Sequence, residues 1–362
     1  MTESTSDTKT FNVMGIMSGT SLDGVDIAQC CFFSDKSDYW NFQLEKAYTY
    51  SYDTSWKERL IEAERYSGLD LIKLHKEYGT FLGSLVNEFL KNTPSLPEFI
   101  ASHGHTIFHQ PENRLTFQLG DGAYIAAETG ITTISDFRNL DVALGGQGAP
   151  LVPIGDKFLF GKYSQCLNLG GFANISYDHG NHRIAYDICP VNIVLNYLTS
   201  RYFHAGFDKE GHLGQSGIIN KPLLTTLNQL PFYKQYPPKS LGKEWVTENF
   251  LPLTENNNIA AKDILRTVYE HIAHQLSSEI NAIPGDEVLV TGGGTFNKFL
   301  IQLIKENTNK KLIIPQKDTI DFKEAIIFAF LGVLRMLNKT NCLSTVTGAS
   351  RDNVGGIIHL IK

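Results

Sequence analysis

The sequence is poor in cysteine, has no long apolar run and carries no block of positive charge. Its five cysteines (Cys30, Cys31, Cys166, Cys189 and Cys342) are an odd number and none forms a CxxC, so free thiols in a reducing cytoplasm are the simplest reading. The longest apolar stretch, AIIFAFLGVL at 325–334, falls short of the ~20 residues that a membrane-spanning helix needs. Lys and Arg (32) are scattered and outnumbered by Asp and Glu (38), giving a net charge of −6. With no basic block in either half, a nucleic-acid or membrane-surface partner is disfavoured. The opening MTESTSDTKT lacks the apolar segment of a signal peptide and reads as a frayed tail. A cytoplasmic protein is expected.

What is present is length and pattern. A chain of 362 residues, 42% hydrophobic and 19% charged, suffices for two domains with more than one core. FNVMGIM (11–17), VDIAQCCFF (25–33) and FQLEKAYTYSY (42–52) read as strands, the first two as a hairpin. Ser55 with Glu58, and Ser67 with Asp70, have the spacing of helix-opening capping boxes. EFIASHG (98–104) and TTISDF (132–137) return as strands around a short helix near 121–129. The order β-β-β-α-β-α-β then recurs. QCLNLGG (165–171), FANISYD (172–178) and HRIAYDI (182–188) precede a helix at 192–203 and a long helical insertion. DEVLVTGG (286–293), a helix, KLIIPQ (311–316) and a closing helix FKEAIIFAFLGVLRML follow. The expected fold is α/β with two domains, each a mixed five-stranded sheet flanked by helices, packed around one cleft. The domains are expected at 1–155 and 156–362, the second holding the insertion, with the boundary inside the Gly- and Pro-rich 145–163.

Three glycine-rich loops begin where an apolar strand ends: GIMSGTSLDGVDIA (15–28), NLGGFAN (168–174) and VTGGGTFN (290–297). Any one of them is equally well explained as a hairpin turn. Three in equivalent places of a duplicated fold point to a phosphate cradle, because glycine lets backbone N–H groups approach and Ser and Thr hydroxyls add donors. The first lacks GxxxxGK[ST] and the other two lack GxGxxG, which disfavours P-loop and dinucleotide folds. Without a lysine, phosphate charge falls to backbone dipoles and Mg²⁺, whose waters Asp23 or Asp26 could anchor.

A longer ordered set of motifs spans nearly the whole chain. To the three loops it adds SHGHTIFHQP (102–111), TFQLGDGAYIA (116–126), DFRNLDVALGGQGAPLVP (136–153), PPKSLGKE (237–244), EAIIFAFLG (324–332) and TGASRDNVGGII (347–358). In these motifs the sequence resembles the anhydro-N-acetylmuramic acid kinases of the sugar kinase/Hsp70/actin superfamily. The resemblance implies two actin-like (ribonuclease H-like) domains that close over substrate, ATP and Mg²⁺ as cofactors, and a homodimer. It also implies a reaction on 1,6-anhydro-N-acetylmuramic acid from recycled cell wall. Water adds across the anhydro bond and O6 is phosphorylated, giving N-acetylmuramic acid 6-phosphate.

By this resemblance Gly19, Thr20, Ser21, Leu22, Asp23, Gly24, Val25 and Asp26 hold the ATP phosphates, with Asp23 facing the metal. Gly170, Gly171 and Asn174 join them, and Gly292, Gly293 and Gly294 lie under the adenosine, where only glycine allows such close approach. Asp187, in YDICPVN, takes the place of the catalytic base, a role worth ~10²–10⁴-fold in rate. It is also placed to cap the helix starting near 192. His103, Asp121, Arg138, Asp141, Gln147, Asn192 and Glu324 fall at substrate positions. Arg138 suits the lactyl carboxylate as a planar guanidinium, and Asp141 serves equally as an inter-domain ion-pair partner. Glu324 suits a substrate hydroxyl or the dipole of its own helix N-terminus. His103 and His105 share a strand face, but no Cys or carboxylate cluster accompanies them, which disfavours a metal site. The family usually has Gln where His105 stands.

Two stretches depart from the family pattern. Where DTGPGN is usual, residues 187–192 read DICPVN, so that Ile188, Cys189 and Val191 replace a threonine and two glycines. A Cβ in a glycine position can block backbone approach to phosphate or forbid positive φ. DKEGHLGQSG (208–217) also replaces a more Asp- and Gly-rich stretch. Either the loop is remodelled with activity kept, or the protein is a silent or substrate-shifted homologue.

Overall fold

A computed structural model describes residues 9–19, 22–34, 40–91, 93, 95–180, 182–255 and 258–361. Thr20, Ser21 and residues 1–8 of the N-terminal tail lie outside them. Alternating apolar residues draw the first segments into a hairpin. β1 (Lys9–Ser18) and β2 (Val25–Ser34) pair antiparallel from Lys9↔Ser34 to Ser18↔Val25, and β3 (Trp40–Tyr50) pairs antiparallel with β2. β4 (Phe99–Gln110) runs parallel to β1, and β6 (Thr133–Ser135) parallel to β4. β5 (Leu115–Leu119) folds back on β4, and β12 (Ile357–His359) pairs antiparallel with β6.

Among the described residues this sheet has seven strands, two more than the pattern predicts. At Gly104, where the expected strand stops, the chain takes φ +73° and a Cβ would collide with the Leu119 carbonyl. β4 passes this point through a register shift and gains β5 as a partner. β12 has only three residues, too few for alternation to show.

The second sheet contains β7 (Gln165–Leu169), β8 (Phe172–His179), β9 (His182–Pro190), β10 (Glu287–Thr291) and β11 (Lys311–Ile313) in the order β11-β10-β7-β8-β9. β6-β4-β1-β2-β3 has the same order and the same directions. Each sheet is thus the mixed, actin-like one.

The chain forms two compact units, Met1–Leu159 with Phe322–Lys362, and Phe160–Asp321. The C-terminal segment belongs to the first unit, whereas the sequence pattern assigns it to the second domain. The reason is packing: the closing helix Lys323–Met336 buries every residue from Ala325 to Leu334 and lies on β1, β2 and β4. It comes so close to β1 that a Cβ on Gly15 would strike the Ala325 carbonyl. Met14 and Ile16, alternating with Gly15, face the core beneath helix Gly68–Leu90. Ser67 caps that helix by accepting from the Asp70 N–H. The preceding helix, Thr54–Glu62, is capped by Asp53, which accepts from the Trp56 N–H at 2.7 Å, in place of the expected Ser55. In the second unit, helix Ala261–Ala282 covers the sheet and anchors its core. All five cysteines are free thiols, and no described helix is long and apolar enough to cross a membrane.

Candidate active site

The first glycine loop joins β1 to β2. Gly19 follows the buried Ser18 and accepts a hydrogen bond from the Leu22 N–H at 3.3 Å. Leu22 takes φ +59°, a left-handed conformation that a leucine rarely adopts. Asp23 is exposed, Gly24 is wedged against the Tyr50 carbonyl of β3, and Val25 is fully buried. Asp26, on β2, accepts from Thr49 Oγ1 at 2.6 Å. Gly24 is therefore a packing glycine and Val25 a core residue, while Asp23 and Asp26 offer carboxylates.

Within the same unit Arg138 Nε donates to His103 Nε2 at 2.9 Å, and Nη1 donates to the Gly148 carbonyl at 2.7 Å. Arginine only donates, so His103 Nε2 is the acceptor and its proton sits on Nδ1, 2.9 Å from the Gly104 carbonyl. Burial first, and Arg138 second, hold His103 neutral, well below its usual range. Arg138 Nη2 makes no hydrogen bond to the described residues. Glu324, in the first turn of the closing helix, opens to solvent but is otherwise surrounded by protein. Desolvation pushes its carboxyl up and Asp26 adds to this, while Arg138 and Lys323 pull it down. Asp26, His103, Arg138 and Glu324 thus form one electrostatic group.

His105 stands apart from that group. Its Nδ1 pairs with Ser18 Oγ at 2.9 Å, and Ser18 Oγ contacts the Tyr52 hydroxyl at 2.6 Å, which in turn meets Tyr78. Burial lowers His105 to about 4. Among the described residues no group of three or more His, Cys, Asp or Glu is arranged to hold a metal.

Three substrate candidates of the first unit carry structural bonds. Asp141 is fully buried; Oδ2 accepts from the Gly148 N–H at 2.8 Å. Its Oδ1 accepts from Thr347 Oγ1, Asn353 Nδ2 and Cys342 Sγ at 2.9, 2.8 and 3.0 Å. Gln147 has an exposed side chain and donates its N–H to the Thr347 carbonyl at 2.8 Å. Asp121 caps helix Gly122–Thr129 by accepting from the Ala123 N–H at 2.9 Å.

In the second unit Asp187 lies near the end of β9, half-buried, directly across from Asn174 on β8. Its Oδ2 accepts the Leu241 N–H at 2.9 Å, and its own N–H donates to the Lys239 carbonyl at 3.1 Å. It does not cap the following helix, Asn192–Phe203, whose N-cap is Val191 with no side-chain bond. Burial raises the Asp187 carboxyl and the Leu241 N–H opposes this. Oδ1 has no hydrogen bond among the described residues. Such a carboxylate, oriented through one oxygen, can accept a proton at the other.

Ile188, Cys189 and Val191 are buried in the core of this unit, and Val191 has φ −124°. Their side chains are packed among core residues, and none of the three takes a positive φ. The N–H groups of Val191 and Ile193 donate to the Gly171 carbonyl, and that of Asn192 to Gly170. The 170–171 turn thus caps the helix. The third turn divides its roles. Gly292 has φ +85° and a Cβ there would lie 2.6 Å from Asn168 Oδ1, and one on Gly294 would meet Leu169 Cβ at 2.8 Å. A Cβ on the exposed Gly293 would meet nothing within 4 Å. Gly293 lines a cavity of about 280 Å³ with Asn192, Asn196, Phe207, Phe296 and Asn297. Phe207 lies outside the motifs; Leu241 and Phe296 fall within PPKSLGKE and VTGGGTFN, but a single sequence carries no mark of the contact that Leu241 makes with Asp187, 54 residues away.

A sequence profile of the anhydro-N-acetylmuramic acid kinase family matches residues 11–360. The anhydro-N-acetylmuramic acid kinase of Sulfurimonas denitrificans is 32% identical, over 96% of this chain and 98% of its own. That of Vibrio parahaemolyticus is 33% identical, over 96% and 97%. Among solved structures, the activator of the 2-hydroxyisocaproyl-CoA dehydratase from Clostridium difficile is similar at 12% identity. It has a TM-score of 0.43, covering 90% of this chain and 97% of that one.

Proposed function

The chain belongs to the anhydro-N-acetylmuramic acid kinase family, and we propose that it hydrates 1,6-anhydro-N-acetylmuramic acid and phosphorylates O6 from ATP, with Asp187 as the general base. The observation that carries this reading is the setting of Asp187. One oxygen is held by a backbone N–H, the other is open, and burial raises the carboxyl, which strengthens it as a base.

In this reading Asp187 Oδ1 takes a proton from water as the water oxygen bonds to C1. The C1–O6 bond breaks, O6 receives the γ-phosphoryl group, and ADP leaves. Arg138 Nη2 offers the donor for the lactyl carboxylate, and Glu324 the acceptor for a sugar hydroxyl. Gly293 and the cavity beside it suit a nucleoside, because the rings of Phe207 and Phe296 are exposed at its wall. Asp26 adds to the cost of ionising Glu324, which a cation relieves, and Asp23 is exposed in the adjoining loop. Mg²⁺, when bound there with ATP, supplies charge neutralisation for the transferring phosphoryl group. The burial of Ile188, Cys189 and Val191 in the core supports a remodelled loop with activity kept. The same reading takes the protein as a cytoplasmic homodimer, which fractionation and light scattering test.

Incubation of the pure protein with anhydro-N-acetylmuramic acid and Mg-ATP is expected to yield the 6-phosphate by mass spectrometry. No product above the blank overturns the proposal. Calorimetric sugar binding without turnover would identify a silent binder, and ATP turnover only with sugars lacking the lactyl group a shifted substrate.

A further inference from the structure

We propose that Lys239 and Glu279 are positioning residues for the reaction: their ion pair pins the segment 239–241 to β9 and so presents the Asp187 carboxylate with one oxygen free. The role rests on Asp187 being the base.

Residues 235–242 have no helix or strand of their own, yet this segment makes both backbone bonds to Asp187. It therefore needs an anchor. The Lys239 side chain is 2% exposed and its Nζ lies 3.1 Å from Glu279 Oε1 on helix Ala261–Ala282. The rings of Tyr186 and Phe232 flank the ammonium at 5.5 and 5.2 Å. Glu279 Oε2 accepts from the Tyr186 hydroxyl at 2.8 Å, and Tyr186 immediately precedes Asp187 in β9. The bonds close a circuit: Asp187 to the Lys239 carbonyl, Lys239 Nζ to Glu279, Glu279 to Tyr186, and Tyr186 back to Asp187 along the strand. A buried ion pair seldom stabilises more than apolar residues of equal volume. What it adds is a single geometry for the charged groups, here transmitted to the carboxylate.

Among the described residues the titratable groups of this cluster are Tyr186 and Cys189 on the strand of Asp187, Tyr177 on β8, Lys239 on the docked segment, Tyr233 beside Cys189 and Glu279 on the helix. Releasing the segment withdraws the Leu241 N–H, which holds the carboxyl down against burial. Asp187 then protonates at higher pH, and the acid limb of kcat moves upward.

The test compares kcat, the KM for ATP and the acid limb in the full-length enzyme. Lys239→Gln is expected to lower kcat by about 10²-fold, the scale of a 1 Å misplacement, with KM for ATP unchanged and the acid limb moved to higher pH. Lys239→Met/Glu279→Met removes both charges while keeping apolar volume, so it guards against misfolding and against a purely electrostatic effect. Its acid limb is also expected to move up. An acid limb at the wild-type pH in the double variant, with kcat scaling only with the folded fraction, overturns the proposal. Asp187→Asn with near-normal turnover would instead overturn the assignment of the base.

Discussion

Arg138 donates to His103 through Nε and to the Gly148 carbonyl through Nη1, and its Nη2 makes no hydrogen bond among the described residues. A lysine has one nitrogen at the end of a flexible stem and cannot span these directions. Arg138→Lys is expected to raise the KM for the anhydro sugar by about 10-fold or more, with little change in KM for ATP. Initial rates at varied sugar and fixed saturating ATP check this.

His103 must stay unprotonated to accept from Arg138, and burial keeps it so. Its folded pKa lies well below the ordinary imidazole value. As pH falls from about 6.5, the unfolded chain therefore binds a proton that the folded chain refuses, and stability is lost. His103→Gln can accept the same hydrogen bond but cannot titrate. The urea midpoint of this variant is expected to fall less between pH 7 and pH 5 than that of the wild type.

Asp187 has the opposite sign. Burial raises its carboxyl, so between the ordinary carboxylate range and its folded value the native state binds more protons than the unfolded chain. Stability falls as pH rises through that interval, and the ionised group opposes folding at neutral pH. Asp187→Asn keeps an oxygen for the Leu241 N–H. It is expected to lower turnover by about 10²–10⁴-fold, retain ATP binding by calorimetry, and unfold at pH 8 no earlier than the wild type.

The third glycine turn separates conformational need from ligand approach. Gly292→Ala meets both a positive φ and Asn168, so loss of folded protein is expected. Gly293→Ala meets nothing in the protein. It should fold as the wild type does, with a raised KM for ATP that thermal melts and initial rates distinguish from instability.

Local signals carried far in this chain, and long-range ones did not. The β1–β2 hairpin and the Ser67 cap are set by neighbours within a few residues, and the pattern finds both. Asp53 displaces Ser55 as a cap because two short polar side chains lie within two positions of each other, and only one meets the Trp56 N–H. Gly104 reads as a strand end because glycine breaks patterns, yet here its positive φ carries β4 onward. Asp141 is the harder case. Its partners Cys342, Thr347 and Asn353 lie about two hundred residues downstream, so no spacing reveals that the carboxylate is saturated. The glycine turns at the ends of β1, β7 and β10 are visible in sequence, but which glycine of the third turn is left open depends on Leu169 and Asn168 across the turn.

The membership of Phe322–Lys362 in the first unit sets an order of assembly on the ribosome. Phe160–Asp321 is contiguous and has all its strands before the closing helix is translated. β1 precedes the second unit in the chain, whereas the helix that covers Gly15 and the edge strand β12 follow it. During synthesis one apolar face of the first sheet is therefore bare while the later unit is already complete. Until that helix is available, the uncovered sheet face is the kind of transiently exposed apolar surface that favours aggregation.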